Sequence, residues 1–234
     1  MSTLKSNQAD KTNTAFQRLG ILGGTFDPIH NGHINTAIET AKWLALDTIQ
    51  LMPAHIPPHK TSTVATPLQR KKMVALACQS HPVLQLDSRE LLRNHPSYTV
   101  DTLQEIHQEN AHYQLFFIIG MDSFIQFTTW HRWQDILNLC HLVVNDRPRY
   151  EKGQMAQTLL QKNNYHCLSP YFADDLSSIS TLKAGKILFH QQTPFDISST
   201  EIRTALAQNT VENTMLPQAV LNYIQQQQLY KSHQ

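Results

Sequence analysis

Short apolar segments that alternate with helical patterns constrain the fold of this chain more than any other feature. Six such segments, at residues 19–22, 48–52, 83–86, 115–119, 141–144 and 186–189, have the length of buried strands. Most stretches between them carry apolar residues three and four positions apart, as in Ile34, Ala37, Ile38 and Ala41, which is typical of amphipathic helices. This alternation predicts an α/β fold: a Rossmann-like, doubly wound parallel sheet with right-handed crossovers and helices on both faces.

The patterning predicts one folded domain preceded by a short tail. Residues 1–18 are mostly polar and have little to bury, so we predict a disordered extension there and a single domain over residues 19–234. Residues 150–185 have weak periodicity and are predicted to form an insertion with one helix near 154–162. Pro217, Val220, Leu221, Ile224 and Leu229 indicate a C-terminal amphipathic helix that caps the domain.

The charge balance argues against several classes of partner. Lys and Arg number 19 against 18 Asp and Glu, a net charge of +1, so we expect no polybasic surface for nucleic acid. No apolar run approaches the roughly 20 residues that span a bilayer, and residues 1–18 lack the apolar core of a signal peptide. Cys78, Cys140 and Cys167 contain no Cys-x-x-Cys pair, which favours reduced thiols. We therefore predict a cytoplasmic protein with no membrane or nucleic-acid partner.

Residues 23–33, Gly-Gly-Thr-Phe-Asp-Pro-Ile-His-Asn-Gly-His, follow the first predicted strand and open a predicted helix. Four of the seven glycines of the chain lie between Gly20 and His33. Glycine permits close backbone approach and positive φ, and the amides of a helix N-terminus favour anions. His33 falls in the first helical turn, where its imidazole adds a hydrogen-bond donor. The segment therefore predicts a nucleotide phosphate site.

The same residues allow other interpretations. The glycine spacing fits neither the dinucleotide pattern Gly-x-Gly-x-x-Gly nor a Walker loop ending in Gly-Lys-Ser/Thr. A tight strand-to-helix connection with a capping histidine explains either feature alone, but not both together. Zinc is a further alternative, since His30/His33 and His55/His59 have ligand-like spacing. No Cys or carboxylate cluster completes such a site, so we predict no metal ligands.

A second segment, residues 197–203, has the sequence Ile-Ser-Ser-Thr-Glu-Ile-Arg and opens another predicted helix. Ser198 and Glu201 have the spacing of a capping box, and taken alone that interpretation is preferred. Hydroxyl groups at a helix start also donate to phosphate, and Arg203 belongs to the same first turns. The run Arg70-Lys71-Lys72, by contrast, is predicted to be a solvated helix face.

Both segments resemble elements of one enzyme family. His30-Asn31-Gly32-His33 resembles the signature of the nucleotidyltransferase superfamily, and residues 23–33 resemble its form in bacterial nicotinate-nucleotide adenylyltransferases. Residues 197–203 resemble the Ile-Ser-Ser/Thr-x-x-Arg element of that family. Further matches occur in the family's order and extend the resemblance over roughly residues 19–230: 57–60, 97–99, 120–122 with Trp130, and 147–148.

The resemblance implies a nucleotidyltransferase that transfers an adenylyl group from ATP to nicotinate mononucleotide, giving nicotinate adenine dinucleotide and pyrophosphate in NAD biosynthesis. It implies catalytic roles for His30, His33 and Arg203, contacts of Lys60, Thr99 and Trp130 with the mononucleotide, and a Mg²⁺ ion carried mostly by ATP oxygens. The residues implied for ATP binding are Gly23, Gly24, Thr25, Phe26, His30, His33, Gly120, Asp122, Ile197, Ser198, Ser199 and Arg203.

Two departures from the family pattern are visible. Arg149 stands where the family usually has Gly after Arg-Pro, and His131 follows Trp130 where many relatives have a tyrosine. Transferases that use nicotinamide mononucleotide or phosphopantetheine as acceptor share the His-x-Gly-His chemistry and stay open as alternatives. So do a nucleotide sensor without turnover and a metal-binding module.

Overall fold

The structure is a computed structural model that describes residues 16–55, 63–93, 96–146, 165–173, 175–192 and 197–231. Several predictions fall outside these residues. They are the tail before residue 16, Lys60 and His59, Arg149, and the helix near 154–162.

Six parallel strands form one sheet in the order β3-β2-β1-β4-β5-β6. Their bounds are β1 (Gln17–Gly24), β2 (Thr48–Pro53), β3 (Leu84–Leu86), β4 (Tyr113–Gly120), β5 (His141–Asp146) and β6 (Ile187–Gln191). The predicted doubly wound parallel sheet is confirmed, and all six predicted segments are strands. The strand order reverses between β1 and β4, the place where such sheets bind ligands beyond the carboxyl ends of their strands.

The described residues contain α1 (Asn31–Leu44), α2 (Pro67–Cys78), α3 (Thr99–Glu109), α4 (Met121–Ile125), α5 (Trp133–Leu139), α6 (Tyr165–Leu168), α7 (Ser199–Ala207) and α8 (Gln218–Gln226). Local signals set several of their ends. Thr66 and Gln69 form a capping box ahead of Pro67 in α2, and Ala45 ends α1 in the left-handed conformation. The capping box of Ser198 and Glu201 begins α7, as its spacing predicts.

Two apolar cores lie on opposite faces of the sheet. Phe116 and Ile118 of β4 belong to the core that contains residues of α1, α2, α7 and α8. Their neighbours Phe117 and Ile119 belong to the core that contains residues of α3, α4 and α5. Because successive strand residues point to opposite faces, both faces of the sheet are covered by helices. Within the described residues, no helix is both long and apolar enough to cross a membrane.

The first strand is longer than its apolar run. β1 begins at Gln17, so the predicted disordered tail does not extend through Arg18. The Arg18 side chain donates to the Leu44 carbonyl oxygen at 2.7 Å, and its backbone N–H donates to Asp47 Oδ2 at 2.8 Å. Main-chain pairing with β4 starts at Gln17 opposite Tyr113, and such pairing requires no apolar side chain.

Candidate active site

A cavity of about 980 Å³ opens at the carboxyl ends of β1 and β4, at the reversal of strand order. Of the predicted site residues, it is lined by Gly23, Gly24, Thr25, His33, Thr99, Gly120, Asp122 and Trp130. Phe26, His30, Ile197, Ser198, Ser199 and Arg203 are not among its lining residues. Its volume lies at the upper end of the range for ligand pockets, which accommodates a ligand with two large groups.

The glycine turn at the end of β1 depends on close packing. A Cβ atom on Gly24 would lie 2.9 Å from the nearest ring carbon of Phe26, closer than real side chains allow. The left-handed conformation in this turn is adopted by Phe26 itself, with φ of 49°. Glycine at position 24 therefore serves close approach of the Phe26 ring.

The carboxylate of Asp27 ties this turn to two distant segments. It accepts hydrogen bonds from the backbone N–H groups of Val64, at 2.8 Å, and Ala65, at 3.1 Å. The Tyr230 hydroxyl donates to Asp27 Oδ1 at 2.7 Å, and burial and the neighbouring carboxylate raise the pKa of Tyr230. No local sequence pattern indicates these roles of Asp27 and Tyr230, because the pairing joins residues about 200 positions apart.

Arg70 has no exposed surface, so its prediction as part of a solvated helix face is wrong. Its guanidinium group donates to the carbonyl oxygens of Thr25 at 2.7 Å, Ala54 at 2.6 Å and His55 at 2.6 Å. Burial lowers the pKa of Arg70, and the nearby Asp27 carboxylate opposes that shift. The side chain thus joins the segments that follow β1 and β2. The wrong prediction arose because Arg70 is followed by Lys71 and Lys72, and a run of three basic residues is typical of an exposed helix face.

His30 and His33 stack on each other at the start of α1. Their ring centroids are 3.7 Å apart with 29° between the planes, and the Phe26 ring meets His33 edge-on at 5.0 Å. His30 is the N-cap residue of α1 and is 3% exposed, whereas His33 lines the cavity. The Asn31 N–H donates to the Met215 carbonyl oxygen at 2.9 Å. The first backbone N–H group of α1, that of Asn31, is therefore already used in a hydrogen bond within the protein.

The second predicted segment meets the first at the Asp27–Pro28 turn. Arg203 Nη1 donates to the Asp27 carbonyl oxygen at 2.8 Å, and Nη2 donates to Thr200 Oγ1 at 3.1 Å. Ser199 Oγ donates to the Pro28 carbonyl oxygen at 3.0 Å. The start of α7 and the start of α1 are therefore held side by side. Arginine has five N–H donors, so two bonds leave capacity for an anion.

Thr99, the first residue of α3, and Trp130 lie at the α3 end of the cavity, together with Glu90, Ser97 and Tyr98. Trp130 contacts the Phe117 and Phe127 rings edge-on, with centroids 6.2 and 5.5 Å apart. These contacts hold the Trp130 ring in the wall of the cavity, where it offers an aromatic surface to a ligand.

Glu90 is a carboxylate at this end of the cavity that no sequence motif indicated. It accepts a hydrogen bond from Thr102 Oγ1 at 2.8 Å. Burial raises its pKa, while Thr102 and the charge of Arg93 oppose the shift. His131 packs against Tyr98 with ring centroids 4.5 Å apart, and both residues line the cavity, so this departure from the family pattern is part of the cavity wall.

Gly120 and Asp122 lie at the end of β4 and in the first turn of α4. A Cβ atom built on Gly120 would meet no atom within 4 Å, so this position opens onto free space. Within the described residues, no group of three His, Cys, Asp or Glu side chains is placed to hold a metal ion. Asp122 and Glu90 are the carboxylates among the lining residues.

The chain is similar to known proteins over most of its length. The model of the cytidylyltransferase-like family matches residues 21–205. A probable nicotinate-nucleotide adenylyltransferase of Shewanella frigidimarina is 46% identical over 92% of this chain and 100% of its own length. One from Psychromonas ingrahamii is 41% identical over 92% and 98%.

Solved structures share the fold. Nicotinic acid mononucleotide adenylyltransferase of Plasmodium falciparum, complexed with NaAD, has a TM-score of 0.66 at 16% identity, covering 92% of this chain and 97% of that one. A putative nicotinate-nucleotide adenylyltransferase of Vibrio parahaemolyticus has a TM-score of 0.60 at 17% identity, covering 93% and 97%.

Proposed function

This chain belongs to the cytidylyltransferase-like family and, within it, to the nicotinate-nucleotide adenylyltransferases, and we propose that it acts as they do. It is an enzyme that transfers the adenylyl group of ATP to nicotinate mononucleotide. The products are nicotinate adenine dinucleotide and pyrophosphate, so the reaction belongs to NAD biosynthesis. The folded unit after the tail acts as a single nucleotidyltransferase domain, and its proposed location is the cytoplasm.

The observation that carries this proposal is the meeting of two segments 176 positions apart, where Arg203 donates to the Asp27 carbonyl oxygen. A shared triphosphate requires the two segments to lie side by side at the mouth of one cavity. His33 lines that cavity. The Arg203 guanidinium group is hydrogen-bonded to the carbonyl oxygen of Asp27, which precedes His30 by three residues in the same turn.

In the reaction, a phosphate oxygen of the mononucleotide attacks the α-phosphorus of ATP. A new P–O bond forms while the bond between the α-phosphorus and its bridging oxygen to the β-phosphate breaks, and pyrophosphate leaves. Such transfer depends on positioning and on stabilising the charge that develops on the phosphate oxygens. We assign this stabilisation to His30, His33 and Arg203, with no nucleophilic side chain.

ATP reaches such enzymes as a complex with a divalent cation, and we propose Mg²⁺ as that cation. It is part of the substrate here. The cavity offers Asp122 and Glu90 as separate carboxylates, a donor set that fits an ion held mostly by phosphate oxygens and water.

The two ends of the cavity suit the two halves of the dinucleotide product. Trp130 and Thr99 at the α3 end are proposed to hold the pyridine ring, and Gly120 and Asp122 to hold the adenosine. Lys60, outside the described residues, is proposed to contact the mononucleotide phosphate. Gly23, Gly24, Thr25 and Phe26 form the turn beneath the triphosphate, and Ile197, Ser198 and Ser199 complete it from the opposite side.

Turnover with three acceptors tests the proposal. Purified protein is incubated with ATP, Mg²⁺ and nicotinate mononucleotide, and the dinucleotide and pyrophosphate are quantified. Nicotinamide mononucleotide and phosphopantetheine serve as matched acceptors in parallel. We expect the highest kcat/KM with the nicotinate form. No product with any acceptor, or a clear preference for phosphopantetheine, would refute the assignment.

A variant of His33 separates an enzyme from a nucleotide sensor. His33→Ala should lower kcat by roughly 100-fold or more while changing the Kd for ATP little, because the imidazole acts on charge that develops in the transition state. Equal losses in turnover and ATP affinity would instead indicate simple binding.

A further inference from the structure

Thr40 in α1 joins two carboxamide side chains at the end of the cavity near β5 and β6. The residue is fully buried, and its hydroxyl donates to the Thr36 carbonyl oxygen at 2.8 Å. Asn145 Nδ2 lies 3.2 Å from the same hydroxyl oxygen, and Gln192 Nε2 lies 3.0 Å from it. Gln192 Nε2 also donates to the Thr36 carbonyl oxygen at 3.0 Å.

The single proton of a hydroxyl group fixes the direction of these hydrogen bonds. Because Thr40 gives its proton to the Thr36 carbonyl oxygen, its oxygen acts as an acceptor for both carboxamides. The contact of Thr40 with Asn145 Oδ1 is longer, at 3.5 Å, which agrees with this orientation. The amide nitrogens of Asn145 and Gln192 therefore face Thr40, and the oxygens of the two carboxamides point away from it as hydrogen-bond acceptors.

Both carboxamides line the cavity beside the position proposed for adenosine. Asn145 is the strand neighbour of Gly120 in the ladder between β4 and β5, and Gly120 opens onto free space. Asn145, Gln192 and Thr36 line the cavity, whereas Trp130 and Thr99 lie at its α3 end. Asn145 is only 6% exposed, so its side-chain oxygen has little access to bulk water.

We propose that Asn145 and Gln192, anchored by Thr40, select adenine as the base of the nucleotide, which deepens the proposed function and rests on it. Their oxygens accept from the exocyclic amine of adenine. Guanine and hypoxanthine carry an oxygen at that position, so two acceptors would face a third and no hydrogen bond would form. Sites built to bond one polar group reject analogues that lack it because buried atoms are then left unpaired. Thr40 is a positioning residue that acts through the two carboxamides.

The test compares ATP with ITP, which has an oxygen in place of the 6-amino group. We expect wild-type protein to favour ATP over ITP in kcat/KM by roughly 10-fold or more. Gln192→Met and Asn145→Leu should reduce that ratio at least about fivefold, mainly through loss of activity with ATP, while the KM for nicotinate mononucleotide stays unchanged. Gln225→Met, an exposed replacement on α8, is the matched control and should keep the wild-type ratio.

A pair of Thr40 variants tests the anchor. Thr40→Ser keeps the hydroxyl and should keep the ATP to ITP ratio, whereas Thr40→Val removes it and should lower the ratio. Thermal unfolding establishes that each variant is folded, and Gln192→Met, at a half-buried position, keeps the test available if Asn145→Leu is unstable. Parallel losses with ATP and ITP, or an unchanged ratio in folded variants, would overturn the proposal.

Direct binding separates this inference from the proposed reaction. Calorimetry with ATP and ITP in the absence of acceptor measures base selectivity even if no dinucleotide forms. Turnover without base selectivity refutes the role of the carboxamides alone. Base-selective binding that Gln192→Met or Asn145→Leu abolishes, without turnover of the wild-type protein, supports that role and refutes the proposed reaction.

Discussion

Replacing Tyr230 with phenylalanine tests whether the C-terminal end of the chain stabilises the turn before His30. The hydroxyl lies 2.7 Å from Asp27 Oδ1, and Tyr230 is 7% exposed, so water does not readily replace the lost donor. Hydrogen bonds to charged groups contribute about 1.5–3 kcal/mol. Asp27 keeps its bonds from Val64 and Ala65, so we expect a loss near the middle of that range, about 2 kcal/mol. For a chain of this length, that lowers Tm by roughly 4–8 °C.

Urea unfolding followed by circular dichroism measures this loss, with calorimetry giving Tm. Tyr223→Phe on α8 is the matched control, because its ring is half-buried and it should change the free energy of unfolding by less than about 0.5 kcal/mol. A loss in Tyr230→Phe no larger than in the control would refute the stabilising role of the Asp27–Tyr230 hydrogen bond.

Three further predictions concern single residues. Arg70→Met leaves three part-buried carbonyl oxygens without their donor. We expect the free energy of unfolding in urea to fall by at least about 3 kcal/mol, with Arg70→Lys restoring less than half of the loss. A loss under about 1 kcal/mol would contradict this expectation. Burial lowers the pKa of His141 to about 4, so the unfolded chain takes up the proton at a higher pH than the folded chain does. The free energy of unfolding therefore falls as the pH drops from about 6.5 towards 4, by about 2 kcal/mol at pH 5. His141→Gln should remove this part of the pH dependence of unfolding, and an unchanged dependence in the variant would refute the prediction. Gly120→Ala should leave Tm unchanged, because the added methyl group meets no protein atom within 4 Å. It should raise the KM for ATP about tenfold, because the methyl group enters the cavity space proposed for the nucleotide. An unchanged KM in steady-state assays would place the nucleotide elsewhere.

The fold was predictable because its signals are local. Each apolar run marks a strand since parallel strands are buried on both faces, and the capping box at Ser198 marks the start of α7 directly. The start of β1 at Gln17, before the apolar run, was not predictable, because hydrogen bonds of Arg18 to Leu44 and Asp47 hold that end of the strand.

The candidate site was predictable only in part. The segments at His33 and Arg203 carry distinctive spacing, so both could be selected before any contact between them was known. The buried position of Arg70 and the anchoring of Asp27 by Tyr230 depend on tertiary contacts across 45 and 203 positions, and no local pattern encodes them. The same is true of Asn145 and Gln192, which both contact Thr40.

A crystal structure with Mg²⁺ and a non-hydrolysable ATP analogue tests the central claim most directly. We expect triphosphate oxygens within hydrogen-bond distance, about 2.7–3.2 Å, of both the His33 imidazole and the Arg203 guanidinium group. We expect the adenine base to lie beside Gly120. A triphosphate that contacts neither side chain, or a nucleotide outside the cavity between β1 and β4, would contradict it.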